Sequence, residues 1–136
     1  MTFWYRISNS WNTDRILISP IRIRADDENE PRDLKPAIAV CPSIAQCLIA
    51  IGSWYDYSKL RVYKTYGLPE PATWVFDFKL TGENRFYQSQ QFEFVKEYSV
   101  YDLIKAGIPV LDLCGVSDEK ILKNAEKILK IARTIL

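Results

Sequence analysis

The sequence contains no histidine. That absence removes Ser-His-Asp and Cys-His catalysis, imidazole metal ligation and histidine-based pH switching. Glycine is scarce, 5 residues in 136, and no G-x-G-x-x-G or Walker spacing occurs, so the glycine-rich phosphate loops have no counterpart. No apolar run approaches the ~20 residues of a membrane-spanning helix. The longest, Ile44–Ile51, is interrupted by Gln46. Neither sign of charge dominates, with 18 Lys+Arg against 17 Asp+Glu, so net charge gives no argument for a nucleic-acid or membrane partner. Cysteine is sparse and odd in number: Cys41, Cys47 and Cys114, with no C-x-x-C. A metal site would lack its fourth ligand, and a disulfide scaffold would carry a denser, even set. The expectation is three buried, reduced thiols, a cytoplasmic setting and no metal. The opening Met1-Thr2-Phe3-Trp4-Tyr5-Arg6 lacks the apolar stretch of a secretory signal.

What is present is ordinary globular composition, 48% hydrophobic and 26% charged, in a length that buries roughly two thirds of the unfolded surface. Residues 3–8, 16–24, 37–41 and 60–66 read as strands, with Ser19-Pro20 breaking the second. Residues 73–80 alternate, Trp74, Phe76 and Phe78 against Val75, Asp77 and Lys79, which predicts another strand. Further strands are expected at 85–88, 92–95 and 108–113. Residues 25–31 form an acidic, turn-forming loop. Ser43 is placed to cap a helix over Ile44–Ile51 that Gly52 stops. Ser99, with Asp102 three residues on, suggests a capping box for a helix over 99–106.

From Ser117 onward, Ile121, Leu122, Ala125, Ile128, Leu129, Ala132, Ile135 and Leu136 share one helical face. Lys120, Lys123, Lys127 and Lys130 form the opposite stripe, either a phosphate-docking surface or, with Glu119 and Glu126 at i,i+4, a solvated face. The pattern predicts a single α+β domain over residues 1–136, with a mixed, mostly antiparallel sheet and a packed C-terminal helix.

Three segments carry candidate chemistry. The first strand holds Tyr5-Arg6-Ile7-Ser8. A strand running straight into a helix holds Ala37-Ile38-Ala39-Val40-Cys41-Pro42-Ser43-Ile44. Glu83 stands just before the segment Asn84-Arg85-Phe86-Tyr87-Gln88. This order resembles the ADP-ribosyltransferase superfamily. There a first-strand Arg or His holds NAD, a second strand leads into a helix beneath the nicotinamide, and a Glu near the start of a later strand steers the transfer. The resemblance covers roughly residues 3–95. It implies that NAD is the substrate, that Arg6 is the first-strand residue, that Ser8 is the small hydroxyl residue following the first motif, that Ser43 is the hydroxyl of the middle motif and that Glu83 is catalytic. The family's stacking Tyr is missing, since its region reads Ala39-Val40. Tyr63, Trp54 or Tyr55 would have to stack on the ring.

The chemistry stands apart from the family. Breaking the nicotinamide–ribose bond builds positive charge that a carboxylate stabilises. A pyrophosphate needs Arg or backbone donors, and Arg6, Arg22, Arg24, Arg61 and Arg85 lie on expected strands or their ends. Neither histidine nor a metal is required.

Each residue also has a plainer role. Glu83 after Thr81-Gly82 reads as an exposed turn residue. Arg6 points away from Tyr5 and Ile7, toward solvent or a surface ion pair. Ser43 is a cap, and Tyr63 is core. An acid/base pair for glycoside hydrolysis, Asp77 with Glu83 or Glu83 with Glu93, has no diagnostic spacing, and the chain is small for a sugar cleft. The competing function is a non-catalytic small viral or mobile-element protein that binds a host protein or a nucleotide-derived ligand.

Overall fold

The structure, a computed structural model, describes residues 2–21, 35–52, 54–75, 77–109 and 118–136. Its centre is strand β4 (Lys59–Tyr66), which is paired on both sides. β1 (Phe3–Ile7) lies antiparallel to it, with Phe3 opposite Tyr66 and Ile7 opposite Val62. On its other side runs β7 (Gln90–Ser99), which also pairs with β2 (Arg15–Ile18). The register of β4 and β7 slips between Val62 opposite Lys96 and Tyr63 opposite Phe94, leaving Val95 as the extra residue of a bulge. A second antiparallel sheet has the order β3 (Ile38–Val40), β6 (Asn84–Phe86), β5 (Glu70–Pro71).

β4 reads as a strand with both faces covered. Leu60 and Val62 face one core and Tyr63 the other, and all three are fully buried. The first core joins Leu60, Val62 and Ile7 to the helices, with Trp54 at full burial among them. The second lies between the sheets and is built from Ile38, Val40, Tyr63, Phe86 and Phe92, with Trp4 and Trp11 against it. The class is therefore α+β with two antiparallel sheets and a C-terminal helix.

Helix α1 (Ile44–Ile51) starts at Ser43, whose hydroxyl accepts from the Gln46 amide at 3.3 Å. It ends at Gly52, whose φ of 72° requires glycine. Replacing Ser43 with Ala should lower stability by about 1 kcal/mol, read as an earlier urea midpoint with unchanged slope; an unchanged midpoint would show that the cap contributes nothing. Helix α4 (Asp118–Ile135) buries Ala125, Ile128, Leu129 and Ala132 and exposes Lys120, Lys123, Lys127 and Lys130. Ile135 is turned out to solvent, because the stripe continues by i+4 steps from Ile128 through Ala132 to Leu136.

The strand expected at 73–80 is absent. Residues 73–75 form a turn, and α2 (Phe78–Thr81) is a single helical turn. Pro71 pairs with Asn84, and the Ala72 amide donates to the Glu83 carbonyl at 2.9 Å. The chain between them must leave and return to the same place, which an extended strand cannot do. Phe76, part of that alternation, lies outside the described residues. The Ser99–Asp102 capping box is also not made. Helix α3 (Val100–Lys105) does start after Ser99, but without a side-chain cap bond. The Val100 amide donates to the Ser58 carbonyl instead, at 3.1 Å. Ile108 and Pro109 are not strand. The rest of that expected strand, the acidic loop at 25–31, residues 22–24 with Arg22 and Arg24, Cys114 and Ser117 lie outside the described residues.

Candidate functional site

The edge of β1 meets β3 at one isolated pair. The Tyr5 amide donates to the Cys41 carbonyl at 2.8 Å, and the Cys41 amide returns a bond to Tyr5 at 2.9 Å. β6 pairs with β3 on its far side, Val40 opposite Asn84. Three segments distant in sequence, 3–7, 38–41 and 83–86, therefore lie side by side. Along their seam opens a cleft of about 220 Å³. Tyr5, Arg6 and Ile7 line it from β1, Ala39, Val40 and Cys41 from β3 and its end, Cys47, Ala50 and Ile51 from α1, and Glu83 from the loop before β6.

Arg6 enters this cleft as a half-buried cation. Its Nη1 donates to the Ala39 carbonyl at 3.0 Å, and its guanidinium stands 5.7 Å from the centre of the Trp11 ring. Its Nε is buried and has no hydrogen-bond partner among the described residues. Burial pushes the pKa of the group down, and the nearby Cys47, Cys41 and Glu83 oppose that. Arg6 is not turned out to solvent and has no ion pair among the described residues; its charge is partly desolvated beside a cleft.

Glu83 is brought there by Gly82. Gly82 ends α2 at φ 60°, ψ 29°, in the left-handed region, and a Cβ on it would stand 2.9 Å from Pro42 Cγ. Only glycine lets the loop approach the start of α1 this closely. Gln46 Nε2 donates to the Leu80 carbonyl at 3.1 Å and ties α1 to the same loop. Glu83 is not an exposed turn residue, since its side chain retains 15% exposure. Its Oε2 receives Arg85 Nε at 3.0 Å and pairs with Arg85 Nη2 at 2.9 Å. The Arg85 side chain is buried, its guanidinium 5.1 Å from the centre of the Trp74 ring. Arg85 also lines a second cleft of about 200 Å³ with Leu68, Glu70, Phe86, Tyr87 and Gln88. The ion pair thus spans the wall between two clefts.

The structure brings Arg6 and Glu83 together and leaves the other expected site residues apart. The Ser43 hydroxyl is occupied by Gln46, accepting from its amide and donating to Oε1 at 2.7 Å. The Ser8 hydroxyl lies past the end of β1, 3.1 Å from that of Ser10. Tyr63 is fully buried between the sheets, edge-on to Trp11 at 4.9 Å. Its hydroxyl accepts from Arg61 Nε at 3.1 Å and reaches the Trp11 and Thr13 carbonyls at 3.0 and 3.1 Å. It cannot stack on a ligand in the cleft, and neither can the fully buried Trp54. Tyr5 is the aromatic side chain that lines the cleft.

The sequence reading offered Arg85 as one of five arginines for a pyrophosphate and not as the partner of Glu83, and it treated Cys41 and Cys47 as core alone. Two positions on from Glu83 at a strand start, Arg85 falls on the same side, a signal that period two carries. Among the described residues no group of three or more Cys, Asp or Glu could hold a metal ion, and no helix is long and apolar enough to cross a membrane. No family model, no curated protein and no solved structure matches the chain.

Proposed function

We propose that the cleft between Arg6 and Glu83 binds the nicotinamide end of NAD and supports transfer or hydrolysis of its ADP-ribose. The observation that supports this most is the adjacency of β1, β3 and β6, which puts a desolvated arginine and a held carboxylate at one opening beside the start of α1. The unpartnered Arg6 Nε suits an anionic oxygen, because an unmatched buried donor is costly and a phosphate or ribose oxygen would satisfy it. At about 220 Å³ the cleft is below the roughly 300–1,000 Å³ of sites that enclose drug-sized ligands. It suits a ring and its sugar, with the remaining nucleotide across the open mouth. As the bond from the ribose C1′ to the nicotinamide nitrogen breaks, the Glu83 carboxylate faces growing positive charge. Nicotinamide leaves with the bonding electron pair, and water or an acceptor forms the new bond at C1′ as it gives up a proton to solvent.

A second reading, binding of a nucleotide-derived ligand or a host protein without turnover, is favoured by the Glu83–Arg85 ion pair, which offsets the charge the reaction would use.

Titration calorimetry with NAD, run beside chromatography of NAD after long incubation, tests both. Arg6→Ala should weaken binding about tenfold to a hundredfold, the loss of a charge-assisted contact worth about 1.5–3 kcal/mol. Heat without NAD loss selects the binding reading. No heat at millimolar NAD, with NAD intact, removes NAD as the ligand.

A further inference from the structure

We propose that the open half of the four-stranded sheet, around Phe3, Tyr66, Lys64 and Arg15, docks a single strand of nucleic acid, with bases stacked on the rings and backbone phosphates on the two cations. One face of this sheet carries Ile7, Val62 and Leu60 and is covered there by the helices. The same face continues past that end. By strand alternation and register, its next row is Tyr5, Lys64, Glu93 and Arg15. The row after that sets Phe3 opposite Tyr66 on one side of the sheet and Leu17 opposite Gln91 on the other. Arg15, Leu17, Tyr66, Gln91 and Glu93 are exposed, and Phe3, Tyr5 and Lys64 are half-buried.

Two observations point to the occupant. The first is the rings. Phe3 and Tyr66 lie with centroids 4.2 Å apart, and the Lys64 ammonium stands 4.5 Å from the centre of the Phe3 ring. The rings are thus held on the sheet yet open to solvent, Tyr66 at 44%. Any base can stack on such a surface, because every base offers a π face. A duplex hides those faces in its own stack, so the strand must be single. The second is the charge. Lys64 and Arg15 make no ion pair among the described residues, and neither does Glu93 between them. Both cations are therefore available to phosphate, and Glu93 repels a phosphate and sets the backbone over the cations on either side. The net charge is only +1, so a polyanion is drawn by this face and not by the chain as a whole. The inner row starts at Tyr5, which also lines the Arg6 cleft, so nucleic acid on this face leads to that opening. The docking face stands whether or not NAD is the ligand there.

The test titrates a fluorescein-labelled oligothymidine of about 12 nucleotides, within the ~4–16 nucleotides that single-strand platforms cover, with the full chain and reads anisotropy. Binding should weaken with salt, with a log–log slope of about −1.4 for two phosphate contacts on a single strand. Tyr66→Ala should weaken binding about fivefold to a hundredfold, and Tyr66→Phe, which keeps the ring, should not. Lys64→Gln should remove about half of the salt slope. Lys127→Gln, on the exposed stripe of α4, should change nothing. No binding at low salt, equal binding once the oligonucleotide is annealed to its complement, or Tyr66→Ala binding like wild type would overturn the proposal. So would a dimer in sedimentation that Tyr66→Ala dissolves, which would give the face to a second copy. A thermal melt of each variant confirms the fold, and the wild-type comparison of single strand with duplex decides even where a variant fails to fold.

Discussion

Glu83→Gln should lower NAD consumption by about 10²–10³-fold while leaving NAD affinity within a small factor of wild type. On the proposed function the carboxylate would act on charge that appears as the C1′ bond breaks, so removing it costs rate more than ground-state binding. The amide nearly preserves shape, and its carbonyl can still receive Arg85, which donates to Glu83 at 3.0 Å. Arg6→Ala has the opposite signature, weakening binding itself. Steady-state kinetics with calorimetry on both variants separate the two roles, with a thermal melt to confirm folding. Equal NAD consumption by Glu83→Gln and wild type would end the assignment of Glu83.

Arg85→Met should cost about 3–5 kcal/mol of stability, as expected when one partner of a buried ion pair is removed and the other stays. The two side chains retain 4% and 15% exposure, so water cannot replace the lost partner. Against a total stability of about 5–15 kcal/mol for natural domains, that brings the variant close to unfolding at ambient temperature. Guanidinium melts give the number, and the double variant Glu83→Gln, Arg85→Met gives its origin. If the penalty comes from a stranded carboxylate, the double variant should be more stable than Arg85→Met alone. A double variant no more stable than the single would place the cost in lost packing on Trp74. A loss below about 1 kcal/mol, the range of exposed pairs, would contradict burial of the ion pair.

Where local rules act alone, the sequence was legible. The Ser43 cap and the Gly52 stop define α1, and the strand expected at 60–66 is β4 (Lys59–Tyr66). The misreading at 73–80 came from trusting alternation where a closing pair, Pro71 with Asn84, forces the chain to double back. The site was half legible. Arg6 and Glu83 could be named from residue type and position. Their convergence depends on the order β1, β3, β6, which no local pattern encodes. The burial of Arg6 and the contact of Gly82 with Pro42 follow from that order too. Tyr63, named as a stand-in for the missing stacking Tyr, takes its other expected place in the core, where Arg61 and two carbonyls satisfy its hydroxyl.

The strand order also governs how the chain reaches this shape. Phe3 sits opposite Tyr66, Arg15 opposite Glu93 and Lys59 opposite Ser99. None of these ladders is a tight hairpin. Each requires a long loop to close before its hydrogen bonds form, and the entropy of closure is lost before contacts return it. Proteins dominated by such non-local pairing fold on the order of milliseconds to seconds, well behind helical bundles of similar stability. Helix α1 is local by contrast, with its cap at Ser43 and its stop at Gly52, yet at eight residues it too depends on packing for its stability. The cleft assembles late, because its three walls meet only when β3 has found both β1 and β6.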